Sequence, residues 1–123
     1  MKTKIQALAF VSTLALAGAA QAQDCSRPPE PTIPDGTAAE QQEMVETKQA
    51  VETYIKETEA YLACVEKQEK AALAEAKQNE EELPAEERNA YVKRYNAAVE
   101  TMKMVAQEFN KQLKAYLKTQ EGS

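Results

Sequence analysis

Between Met44 and Ala72 apolar residues recur with a helical period, and this stripe constrains the fold more than any other feature of the chain. Met44, Val51, Thr58, Val65 and Ala72 share one heptad position, with Tyr54 and Tyr61 three residues on and Ile55 and Leu62 four on. That spacing gathers them on one face of an amphipathic helix with coiled-coil-like regularity. A face this wide cannot be left to water, so the rest of the chain must cover it.

The sequence supplies a partner. Glu80-Glu81-Glu82-Leu83-Pro84 breaks the first helix, expected over about residues 38–79, and Pro84 suits the first turn of a second, expected over about 85–118. Glu86 and Glu87 then sit at its positive end and Lys111, Lys114 and Lys118 towards its negative end. Arg88, Tyr95, Met102, Phe109 and Tyr116 share one heptad position, Tyr91, Ala98 and Val105 lie three on, and Val92, Val99, Ala106 and Leu113 four on. Turning at Leu83, an antiparallel hairpin sets Val65 near Val99, Ile55 near Phe109 and Val51 near Leu113, apolar against apolar at each level. Two helices still leave part of each stripe bare. Either the N-terminal segment covers the remainder or a second hairpin does so in a four-helix bundle.

That N-terminal segment, residues 23–37, reads as an extended arm. Pro28, Pro29, Pro31 and Pro34 remove backbone donors and favour polyproline II geometry. Pro34-Asp35-Gly36 reads as a turn, and Thr37 with Glu40 as a capping box that opens the first helix. Cys25 and Cys64 are the two cysteines, not spaced as C-x-x-C and without a histidine or cationic cluster to lower a thiol pKa, which favours a structural disulfide over redox chemistry. Lengths agree: the arm from Cys25 to Thr37 spans roughly 37 Å at the polyproline rise, and the helix from Thr37 to Cys64 roughly 40 Å. An arm folded back along the first helix therefore brings the two sulfurs to one height. The expected fold class is all-α, a long antiparallel two-helix hairpin with a proline-rich arm strapped to its first helix by the Cys25–Cys64 disulfide.

Residues 1–22 read as a cleaved leader: basic Lys2 and Lys4, an apolar run from Ile5 to Ala20, and Ala20-Gln21-Ala22 as an A-x-A signal. Leu16-Ala17-Gly18 is followed by Ala19 rather than cysteine, so no lipid anchor is expected, and the apolar run is too short for a membrane span. Export into a bacterial periplasm is the expected destination. Removing Lys2 and Lys4 from 15 basic residues leaves 13 against 20 acidic, a net charge of −7, which disfavours nucleic acid and anionic lipid as partners. The charge is uneven, with 17 acids and 6 bases from Asp24 to Glu87 but 3 acids and 7 bases from Arg88 to Ser123. Acidic and basic halves attract, which favours the hairpin over pairing of like helices.

Chemistry is sparse. The chain has no histidine, which removes histidine acid–base catalysis and haem ligation through histidine. Glu80, Glu81, Glu82, Glu86 and Glu87 lack calcium-loop spacing and read as a solvated helix junction. Met102 and Met104, two apart on a helix, point about 200° from each other and cannot easily share an ion. The tyrosines read as seam packing with wet hydroxyls. No catalytic residue, cofactor or metal is assigned. The candidate functional surface is the stripe itself: Val51, Tyr54, Ile55, Tyr61, Leu62 and Val65 on the first helix, and Tyr95, Met102, Val105, Phe109, Leu113 and Tyr116 on the second.

The leader, the Cys-x-x-Pro-Pro-Glu-Pro-x-Ile-Pro-Asp-Gly arm, Ala-Tyr-Leu-Ala-Cys at 60–64 and Phe-Asn-Lys-Gln at 109–112 together resemble uncharacterised small exported two-cysteine α-helical proteins of Proteobacteria. The resemblance implies export and transfers no catalytic residue. The function expected is that of a non-enzymatic, exported helical interaction protein of the cell envelope, binding a protein partner or itself as a homodimer. A periplasmic chaperone-like holdase is the alternative, and a metal carrier or enzyme the least favoured reading.

Overall fold

The computed structural model describes residues 24–122. The leader read over residues 1–22, with its cleavage signal, lies outside the described residues, as does Gln23 at the start of the arm. Two helices, α1 (Gln41–Gln78) and α2 (Ala85–Glu121), pack against each other as an antiparallel hairpin, and no strand occurs among the described residues. At 38 and 37 residues, each is roughly 56 Å long.

α1 starts three residues later than the expected 38, for a local reason. The Asp35 carboxylate accepts both the backbone N–H of Thr37 (2.9 Å) and its hydroxyl (2.7 Å), while the N–H of Ala38 donates to the Asp35 carbonyl (3.1 Å). Thr37 is thereby committed to a turn. The expected capping box does not form: Glu40 occupies the N-cap without a side-chain bond. Held by these two bonds, the Asp35 carboxyl lies below the usual carboxylate value, its largest cause the Thr37 hydroxyl. The ionised form is the one bound, so this turn is intact above the ordinary carboxylate pKa and weakens as pH falls through the lowered one.

At the other end, the Glu81 N–H donates to the Ala76 carbonyl (2.9 Å) and the Glu80 N–H to the Lys77 carbonyl (3.2 Å), the paired bonds of a Schellman termination. Such an end needs a left-handed residue, and here Glu80 adopts it with φ 54°. Leu83 is buried under the turn, and Pro84 serves as the N-cap of α2, one position earlier than the first-turn site expected of it.

Packing divides into two clusters along the seam. Met44, Val51, Tyr54, Val105, Phe109 and Tyr116 form one, with Ile33, Ile55, Met102 and Leu113 packed on it. Tyr61, Leu62, Val65 and Ala98 form the other, with Cys25, Tyr91, Tyr95 and Val99 alongside. These groupings agree with the expected levels of Val65 with Val99, Ile55 with Phe109 and Val51 with Leu113. Thr58, 1% exposed in the middle of the stripe, satisfies its hydroxyl on the Tyr54 carbonyl (2.8 Å), as Thr47 does on that of Glu43 (2.8 Å). A polar residue is thus carried in the seam without an unpaired donor.

The arm runs in the groove between the helices and touches both. Cys25 is bonded to Cys64 on α1 with the Cα atoms 5.6 Å apart. The Arg27 guanidinium donates to the Ala97 carbonyl (3.3 Å) and to the Thr101 hydroxyl on α2. Ile33 enters the first cluster, and the Gly36 N–H donates to Gln112 Oε1 (2.9 Å). Gly36 is buried flat on α2: a Cβ there would meet the Gln112 carbonyl oxygen at 1.9 Å and the Tyr116 nitrogen at 2.9 Å.

Three variants test the arm attachments and the end of α1. Gly36→Ala must push the arm off helix backbone, and is expected to cost about 1–3 kcal/mol, read as a lower Tm by circular dichroism. Replacing Cys25 and Cys64 together by serine opens a closure of 39 residues and is expected to cost about 4 kcal/mol by loop entropy while helical content is retained. An unchanged Tm in either would show that the arm contributes nothing to the fold. Glu80→Gly relieves the left-handed position and is expected to gain about 1 kcal/mol.

Candidate functional site

The seam between two helices has two sides, and the arm occupies one. On α1 that side is marked by Cys64 and by Tyr61, which lines a shallow groove with Cys25, Arg27 and Pro28. At 100° per residue, Ile55 lies about 180° around α1 from Cys64, and Leu62 about 160°. On α2 the arm side is marked by Ala97, Thr101 and Gln112. Val92, Val99, Ala106, Leu113 and Leu117 lie within about 60° of one another, across the buried centre of the helix from those three.

The residual surface is apolar on that uncovered side. Five large apolar side chains are exposed among the described residues: Val45, Leu73, Val92, Met104 and Leu117. Four of them, Val45, Leu73, Val92 and Leu117, are 43–51% exposed and fall on the side that carries Ile55 and Leu113. Met104 alone lies about 180° around α2 from Leu113, on the arm side. Ile55, Met102, Val99, Ala106 and Leu113 are half-buried between the exposed ones.

Two polar rows flank this strip. On α1, Glu52, Glu59 and Glu66 follow one another at heptad spacing, with Val45 and Leu73 continuing the row at its ends. On α2 the matching outer row is Asn89, Asn96, Lys103, Asn110 and Leu117. Glu52 is reached by Lys48 within α1 (3.8 Å), but both side chains are about two-thirds exposed, and such pairs contribute at most about 1 kcal/mol. The carboxylates remain hydrated and able to meet an incoming partner.

The structure separates the twelve stripe residues into roles. Val51, Tyr54, Val65, Val105, Phe109 and Tyr116 are buried inside the seam and offer no surface. Tyr61 is buried beside the strap. Ile55, Leu62, Tyr95, Met102 and Leu113 border the uncovered side, with Leu62 barely accessible at 9%. Sequence reasoning overlooked Val45, Leu73 and Leu117, which stand outside the three positions per heptad that define the stripe. It also overlooked Arg27, Gly36 and Gln112, because arm contacts leave no periodic signal.

Little chemistry accompanies this surface. The Arg94 guanidinium sits 5.0 Å from the Tyr91 ring centroid, a cation–π contact at the hairpin end. Among the described residues, no group of three or more His, Cys, Asp or Glu side chains is gathered to hold a metal ion, and no helix is long and apolar enough to cross a membrane. The arrangement can present an ordered apolar strip between polar rows, which is suited to contact with another surface. Compared with models of protein families, with curated protein sequences and with solved structures, the chain matches none.

Proposed function

We propose that the protein is a non-enzymatic interaction protein of the cell envelope, exported by its leader into the periplasm, where its uncovered helical face docks on protein. One observation carries the reading: among the described residues, four of five exposed large apolar side chains gather on the one side of the seam that the arm leaves open. Scattered exposed apolar residues are ordinary, whereas their concentration beside half-buried neighbours marks a contact surface. The leader, the two-cysteine arm and the disulfide support an oxidising destination.

A chaperone-like holdase would use the same side chains on unfolded clients. The flanking rows favour specific docking instead, since carboxylates and amides repeated every seven residues suit a surface with matching groups at matching intervals.

A photoactivatable phenylalanine analogue placed at Val92 or at Met104 in exporting cells tests the reading. Illumination is expected to yield a discrete protein adduct from position 92 and none above background from position 104. No adduct from 92, or equal adducts from both, would overturn it.

A further inference from the structure

The open face carries charge and shape information about what fits it. We propose that its occupant is a second copy of this chain, docked about a two-fold axis parallel to the helices, so that α1 of each copy lies against α2 of the other. This rests on the reading of the open face as a docking surface, and names the partner.

Heights along the hairpin set the register. Ile55 packs on the cluster that holds Phe109, and Val99 on the one that holds Val65, in keeping with a turn between Gln78 and Ala85. A two-fold axis parallel to the helices preserves height and exchanges left for right. The outer row of α1 then meets the outer row of α2 from the other copy at its own level, with every helix antiparallel to both neighbours. To within two residues of this register, roughly 3 Å along the axis, Glu59 falls opposite Lys103, Glu52 opposite Asn110 and Glu66 opposite Asn96, because a seven-residue step up one helix is matched by a seven-residue step down the other. Carboxylates thus meet an ammonium and two amide donors. At the open ends of the helices, Val45 falls opposite Leu117, both exposed in the single chain. Between the rows, Val92, Val99, Ala106 and Leu113 of one copy lie over Ile55 and Leu62 of the other.

The alternative two-fold, perpendicular to the helices, stacks α1 on α1. It sets Glu59 against its own copy and Glu52 against Glu66, a row of like charges facing itself. Charge therefore selects the first arrangement. The arm excludes a third: the other side of the seam is filled by residues 25–36, tied to both helices.

Sedimentation equilibrium on the oxidised protein, expressed with its leader and purified after export, decides the matter. A concentration-dependent dimer is expected. Glu59→Lys and Lys103→Glu are each expected to weaken it by about tenfold, since the contact occurs twice, and the double exchange to restore it. Val92→Glu is expected to weaken it by about a hundredfold or more and Met104→Glu to leave it unchanged, with all variants keeping wild-type helicity and, at concentrations where the wild type too is monomeric, wild-type Tm. A monomer at every concentration would overturn the proposal, as would a dimer tightened by Glu59→Lys, which is the signature of α1 against α1, or one indifferent to Val92→Glu. A monomer whose position-92 photocrosslink still forms would sink self-docking alone, and loss of both would sink the docking reading with it.

Discussion

Everything in this fold depends on how an extended segment without hydrogen bonds of its own is held against two helices. Up to Asp35 the segment forms neither helix nor strand, so residues 25–36 stay in the groove through contacts with the helices, Ile33 in the first cluster and the Gly36 N–H on Gln112 among them. One is covalent, on α1 through Cys64; one is polar, from Arg27 to the Ala97 carbonyl and the Thr101 hydroxyl on α2; one is steric, where Gly36 lies on the backbone at Gln112 and Tyr116. The prolines make such a segment suitable for the place. They carry no N–H to be orphaned under an apolar surface, and they restrict the unfolded chain, which lowers the entropy lost on docking.

From those anchors follows the asymmetry of the molecule. A hairpin of two amphipathic helices has equivalent sides until something covers one. With the arm on the Cys64 side, Tyr61 is buried and Thr101 is engaged by Arg27, whereas Ile55, Val99 and Leu113 lie half-buried on the other side. The stripe that looks uniform in sequence is thus three strips in space: a seam, a strapped side and an open side. Only the last is left uncovered, and of its exposed members Val45, Leu73 and Leu117 lie in the outer rows and Val92 between them.

The periodic part of this arrangement was legible in the sequence, because a heptad repeat states which residues share a face. The hairpin, its level pairings and the strap all rest on such arithmetic or on the reach of a chain of known rise. What escaped was aperiodic. Whether the arm or a second hairpin covers the broad stripe stood open, and the structure answers for one side only. Nothing in the spacing of Gly36 announces contact with a helix 76 residues away, nor does Arg27 declare its partners. The Thr37–Glu40 motif misled for a related reason: Asp35, two residues earlier, competes for the same hydroxyl and takes it. Capping rules read one motif at a time, while the chain resolves such competitions jointly.

The disulfide links these levels. Without it, an arm of proline and polar residues would sample many positions, and both sides of the seam would be bare for part of the time. Either side could then pair with another apolar surface, and a hairpin with two sticky sides can extend into chains of molecules rather than closing on one partner. Oxidation ties the arm down on the Cys64 side and leaves one side of the seam open; under the self-docking proposed above, a molecule with one such face would form a closed pair. The strap therefore contributes more than loop entropy: by choosing which side of the seam is covered, it determines which rows of charge stay exposed.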